Sequence, residues 1–257
     1  MNAVNTYKAY VKKEIIEGMR ARKFLVLAIG VLFFAFSDPI MLKLLPEILK
    51  SQMQGADFSM LIELSQKAAL ESYTKNLFQL STLVIVLSLM GIISKERDDK
   101  TLTVPVSMGS SIKGVVLAKL SVYGTFILLI NVLGMSIAYY YSGIIFGFTH
   151  ESFVAALATG AVYGLFFVFV LSFLSFCSSF MKKSFLAATI TLMLVYLMPL
   201  AGYFEAIEKY LPVNLFSEVN LSVILPKSMI ASLLCTIFLT VIFSALTVFK
   251  LERVEFV

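Results

Sequence analysis

Residues 152–180 read SFVAALATGAVYGLFFVFVLSFLSFCSSF, twenty-nine positions without one Asp, Glu, Lys, Arg or His. A helix that crosses a bilayer needs about 20 mostly apolar residues, because the hydrocarbon core is ~30 Å thick and each residue rises ~1.5 Å. A transmembrane strand would instead alternate apolar and polar positions over about ten residues, and this run does not alternate. The stretch reads as a membrane-crossing helix, and one such helix sets the solvent for the rest of the chain.

Working outward, five more segments have the same character: Phe24–Leu42, Leu77–Ser94, Val115–Tyr141, Ser184–Phe204 and Ser228–Phe249. The composition agrees. Of 257 residues 59% are hydrophobic and 14% charged, where a soluble domain carries about 25% charge, and the mean hydropathy is +0.91. Too few charges remain to cover a soluble domain, and the varied apolar content excludes a disordered chain. Cys177 and Cys235 sit within apolar runs, so they read as small buried hydrophobes, and no Cys/His cluster offers a metal site. The expected fold class is an all-α membrane protein: one six-helix transmembrane domain spanning residues 1–257, multi-pass in the cell membrane.

Orientation follows from the basic residues, which concentrate on the cytoplasmic side. With the N-terminus inside, fifteen of the 21 Lys and Arg residues fall on inside segments. Six spans then return the C-terminus to the cytoplasm. Phe24–Phe36 has the length of a signal-peptide core, with Ala35-Phe36-Ser37 as a small-x-small site. The preceding 23 residues are too long and too mixed in charge for that, so an uncleaved first span is expected.

The connecting pieces carry further pattern. Over 4–23, Val4, Tyr7, Val11, Ile15 and Gly18 recur at spacings of three and four, with Lys8, Lys12, Lys13, Glu14, Glu17 and Arg20 between them. That is an amphipathic interfacial helix, its basic residues directed toward anionic lipid head groups. The loop Lys43–Asn76 is long enough to hold one or two short helices, one capped by Asp57 with Met60, Leu61, Leu64 and Ala68 on one face. The segment 205–227, broken by Pro212 and Pro226, is too apolar for a solvated loop and reads as re-entrant or packed on the bundle mouth. Inside, only Ser94–Gly114 is large enough to receive a partner. Pro105 and Gly109 divide it, and Ser110 or Ser111 stands where a helix into the third span would be capped. Lys119 lies about one turn into that span, placed to snorkel to the head groups.

Reactive chemistry is sparse. Spans two, four, five and six carry no ionisable Asp, Glu, Lys, Arg or His, which disfavours a proton- or ion-coupled carrier. Asp38, followed by Pro39, reads as a helix end or kink. His150 reads as a solvated loop residue. No phosphate-cradling glycine loop, nucleophile–base pair or metal cluster is present, so no catalytic, cofactor or metal residue is assigned and no nucleic-acid partner is expected. Asn131, Ser136, Ser172, Ser175, Ser178, Ser179, Thr189, Thr191 and Thr240, with Gly124, Gly134, Gly160 and Gly164, suit close helix packing. Tyr139–Tyr141 suit an interfacial aromatic belt.

Such a bundle looks like the pathway half of a machine. The amphipathic N-terminal helix is similar to the elbow helix of type-2 ABC exporter permeases. Ile92-Ile93-Ser94-Lys95-Glu96-Arg97-Asp98-Asp99-Lys100-Thr101-Leu102 resembles that family's Glu followed by Gly-Thr-Leu. Val104-Pro105-Val106-Ser107 and Lys119 resemble the Pro and Gly-Lys that follow, and Tyr210–Phe216 is similar to the family's outer re-entrant region. Lys100 and Ala118 stand where the family usually has glycine. The resemblance implies a permease subunit, itself without enzyme activity, that pairs with a second copy or a similar permease. Two cytoplasmic ATPase subunits, which bind ATP and Mg, would drive alternating access. It also implies coupling to the ATPase through 94–114, with Glu96 and Arg97 as charged contacts to the ATPase or the elbow, and Thr101, Ser110, Ser111 and Lys113 on the docked surface. Charge reversal of Glu96 and Arg97 together is expected to uncouple ATP hydrolysis without unfolding the bundle. The other classes are an ion-coupled carrier or channel, and a membrane enzyme or immunity-type binding protein.

Overall fold

The computed structural model describes residues 2–52, 64–101, 103–148, 152–181, 183–216 and 227–253. Among them every regular element is helical. Six helices are long and apolar enough to cross a membrane: Lys23–Leu49, Gln66–Asp98, Ile112–Phe146, Phe153–Phe180, Ser184–Ala201 and Met229–Glu252. The chain has the architecture of a multi-pass membrane protein.

In chain order, α1 (Ala3–Arg20) leads through Ala21 and Arg22 into α2 (Lys23–Gln52). α3 (Gln66–Asn76) passes through a π-helical turn at Leu77–Ser81 into α4 (Thr82–Leu89), followed by the short α5 (Ser94–Asp98) and α6 (Thr103–Ser107). α7 (Ile112–Phe146) and α8 (Phe153–Phe180) form the centre of the bundle. α9 (Ser184–Ala201), α10 (Glu205–Glu208), a 3₁₀ turn at Pro212–Phe216 and α11 (Lys227–Glu252) complete it.

Small residues let α7 and α8 approach. A Cβ on Gly160 would stand 2.9 Å from Val132 Cα and 3.0 Å from the Asn131 carbonyl oxygen, and one on Gly164 would stand 2.9 Å from Leu128 Cα. Those neighbours are backbone and cannot swing away, so this Gly-x-x-x-Gly pair sets the helix separation. The hydroxyls of Ser136, Ser172, Ser175, Ser179, Thr189, Thr191 and Thr240 each bond a carbonyl three or four residues back in their own helix. They satisfy themselves locally, whereas Ser178 reaches across to the Met90 carbonyl at 3.4 Å. Cys177 is buried and Cys235 half-buried, both free thiols.

Several expectations need correction. α2 does not end at Asp38-Pro39; it continues through Pro39 and Pro46 to Gln52. Asp38 is buried and accepts a hydrogen bond from Asn76 Nδ2 at 2.8 Å, so the carboxylate is an α2–α3 contact rather than a helix stop. The cap at Asp57, with Met60 and Leu61, lies outside the described residues, as does His150. Of the expected apolar face, Leu64 is exposed ahead of α3, whose own cap is Ser65, accepting from the Ala68 amide at 3.1 Å. Tyr139 is no belt residue: it is buried against Phe153 and Phe148, and Tyr140 is the exposed ring. Val219–Pro226 lie outside the described residues, but the turn before them packs into the bundle. Phe216 stacks on Tyr163 at 4.2 Å and 7°, and meets Phe166 edge-on at 5.0 Å.

Candidate functional site

The charged site forms where α1 crosses α7. Gly114 permits the crossing: a Cβ there would lie 2.7 Å from the Ala3 carbonyl oxygen and 2.9 Å from Thr6 Cβ. The Thr6 hydroxyl oxygen accepts from the Ser111 amide at 3.3 Å, and Tyr7 donates to Ser121 Oγ at 3.1 Å. Tyr10 packs with Val115 and Ala118. The face of α1 that turns inward is Thr6, Tyr10, Glu14 and Gly18. This corrects the expected apolar stripe: Tyr7 and Val11 are half-buried against that cluster, but Val4 and Ile15 are exposed.

A pattern of four inward positions thus carries a carboxylate into the protein. Glu14 is fully buried, and Lys119 of α7, 3% exposed, donates to it at 2.7 Å and to Glu96 of α5 at 2.9 Å. Lys119 therefore does not snorkel; it turns inward because two carboxylates await it there. Lys13 joins the same group, bonding Glu96 Oε1 and lying 3.4 Å from both Glu14 and Glu17. Lys23 at the start of α2 closes the set on Glu17 at 3.2 Å. Three ammonium groups alternate with three carboxylates, and the lattice ties α1, α2, α5 and α7 together. An isolated buried charge costs several kcal/mol, and only mutual pairing makes this arrangement tolerable. The carboxylates of Glu14, Glu17 and Glu96 come within 4.8 Å of one another, as metal ligands would. The counter-charge at that spot is already supplied by Lys13 and Lys119.

Burial would lower the Lys13 pKa, but the Glu96 hydrogen bond and the charges of Glu96, Glu14 and Glu17 outweigh it and hold it above the ordinary lysine value. Burial would raise Glu17, yet Lys23, with Lys13 and Lys119 behind it, holds the carboxyl below the ordinary range.

The other site residues fall around this lattice. Arg97 donates to the Ser179 carbonyl at 2.7 Å, a cation on the last turn of α8, where the helix dipole favours it. Thr101 bonds back to the Glu96 carbonyl at 3.1 Å. Ser110 donates its amide to the Pro105 carbonyl at 2.9 Å, and Ser111 holds the N-cap position of α7 without a side-chain cap bond. Lys113 is exposed, 3.8 Å from Glu252 of α11. Lys100 has φ +53°, and Gly109 has φ +85°. Glycine adopts that left-handed region without strain and lysine does not, so a local physical reason exists for glycine before Thr101. Asp98, Lys100 and Met108 of the segment are exposed, the last 77% exposed.

Charge reversal at Glu96 therefore strikes a structural lattice as well as any docking surface, which corrects the expectation that the bundle would be unaffected. Sequence reading did not single out Glu14 or Lys13 as site residues. The legible signal was the i, i+4 series Thr6–Tyr10–Glu14–Gly18 together with a lone lysine inside a span, which needs a counter-ion.

Cavities adjoin these elements. A chamber of about 520 Å³ adjoins the lattice and includes Lys95, Asp99 and Ser184 in its wall. At the opposite end of the bundle a cavity of about 400 Å³ is lined by Phe78, Tyr203 and Phe216, with Lys75 and Glu208. The π-turn at its wall directs the Gln79 carbonyl to the Tyr196 hydroxyl, which donates to it. No protein-family model matches the chain, and no curated protein matches it.

Proposed function

We propose that the protein is the membrane subunit of an ATP-driven exporter of the type-2 ABC kind, powered by separate cytoplasmic ATPase subunits. The observation that carries the reading is the ion-pair lattice: α5, the start of the 94–114 segment, is joined through Glu96 to Lys13 of α1 and Lys119 of α7. A push on that segment moves α1 and α7 as one body, because buried Lys119 of α7 pairs with both Glu96 of α5 and Glu14 of α1, and those pairs cannot separate without large cost. In this reading α1 is the elbow, and 94–114 is the cytoplasmic coupling segment. ATP-driven closure of two ATPases swings two such bundles between inward- and outward-open arrangements. The second bundle is another copy or a similar permease. The cavity beside Phe216 offers an apolar body with one ammonium and one carboxylate at its edge, which suits an amphipathic cargo.

The docking surface is then the exposed side of the segment, centred on Met108, with Glu96 and Arg97 anchoring it from behind. In vesicles holding the chain and its ATPase, Met108→Asp should reduce ATP hydrolysis to the level of the ATPase alone while leaving the thermal midpoint of the bundle unchanged. Full stimulation in that variant would remove Met108 from the interface.

One observation favours a second reading. Asp38 is 6% exposed inside a span, and its Oδ2 has no hydrogen-bond partner. Buried membrane carboxylates mark ion pathways. An ion-coupled carrier predicts that Asp38→Asn abolishes transport; the exporter reading predicts that it does not.

A further inference from the structure

An apolar space lies next to the charged chamber. A second groove, about 340 Å³, runs along the seam of α4 and α9 and is walled by apolar side chains including Leu87, Leu192, Met193 and Leu197. Leu87 lines both spaces. Ser184, in the chamber wall, precedes Phe185 of the groove, and its Oγ is fixed by Ser94 Oγ at 2.8 Å. The groove extends from Phe185 to Leu197. That is about 18 Å of helix at ~1.5 Å per residue, close to one leaflet of a ~30 Å hydrocarbon core. A chamber with charged walls, beside a leaflet-deep apolar groove that shares Leu87 with it, matches the outline of a lipid: head group first, acyl chain beneath.

The charges select which lipid. Of the chamber's ionic groups, Lys13, Lys23, Lys119, Glu17 and Glu96 are committed to one another. Lys95 and Asp99 are exposed in the wall and, among the described residues, form no ion pair, not even with each other across four residues. One cation and one anion therefore stand free on the chamber wall. An anionic head group would meet Asp99 with like charge, and a quaternary amine would give Asp99 no N–H to accept. We propose that the chamber and groove together hold one aminophospholipid, its phosphate on Lys95, its protonated amine on Asp99, and an acyl chain between α4 and α9. The site requires only the membrane setting and stands apart from the transport reading.

The test is native mass spectrometry of the full chain, reconstituted in vesicles of equal parts phosphatidylethanolamine, phosphatidylglycerol and phosphatidylcholine and released in mild detergent. The expected result is a single phosphatidylethanolamine adduct that dominates the other two. Lys95→Ala should lower that adduct about tenfold, the scale of one charge-assisted contact. Asp99→Lys should shift the preference to phosphatidylglycerol, and Met193→Trp should lower every adduct by filling the groove. All three positions are exposed, so the bundle keeps its fold. A phosphatidylglycerol preference in the unaltered chain, adducts indifferent to Lys95 and Asp99, or no retained lipid would each overturn the proposal.

Discussion

Lys119 has a carboxylate on two sides, and neither Glu14 nor Glu96 has another fully buried cation beside it. Removing the lysine leaves both acids, Glu14 fully buried and Glu96 12% exposed, short of charge, a loss of about 3–5 kcal/mol for a broken buried pair. Lys119→Met should therefore lower folding stability by that amount in detergent unfolding, and adding Glu14→Gln should recover a large part of it. A double variant no better than the single one would mean that Glu14 and Lys119 do not interact. Lys100 makes the opposite case. Its left-handed backbone is strained for any residue with a Cβ, and Lys100→Gly should be neutral or stabilising by up to about 1 kcal/mol. Marked destabilisation there would show that the turn has another conformation.

At the scale of elements, α1 is fixed by charge and α8 by shape. The exposed ends of the charge lattice titrate at the edges of the pH scale. Glu17 is held below its unfolded value of about 4.3, so its contribution is complete above that pH and is lost as pH falls through the lower folded value. Lys13 is held above its unfolded value of about 10.4, so its contribution is complete below that pH and is lost as pH rises further. Both are more than a third exposed, so solvent screens them and each contributes little. From these two groups the hydrogen-exchange protection of α1 should be flat between about pH 5 and pH 10. A midpoint near neutrality would implicate a different group. Against α7, Gly160 and Gly164 leave no room for a side chain, and Gly164→Leu should prevent close packing and abolish the folded yield, as overpacked cores do. A stable Gly164→Leu protein would place α8 elsewhere.

For the molecule as a whole, the long uncharged runs made the six helices legible in the sequence, because the bilayer demands length and apolarity and little else. What packing decides was less legible. Periodicity placed the apolar face of α1 near Val4 and Ile15, yet the buried face holds Glu14, since a counter-ion to Lys119 outweighs two surface aliphatics. Helix ends drifted too: Pro39 looked like a stop, but α2 runs on through it, with Asp38 held by Asn76 of α3. The π-turn at Leu77–Ser81 carries no sequence mark. The proposed role follows from the lattice that makes a short charged segment one body with two helices. It is tested most directly by the mass of the complex purified from its native membrane. The account predicts two permease chains with two ATPase subunits, and ATP hydrolysis that the Met108→Asp variant uncouples. A folded chain that purifies with no ATPase bound would contradict it.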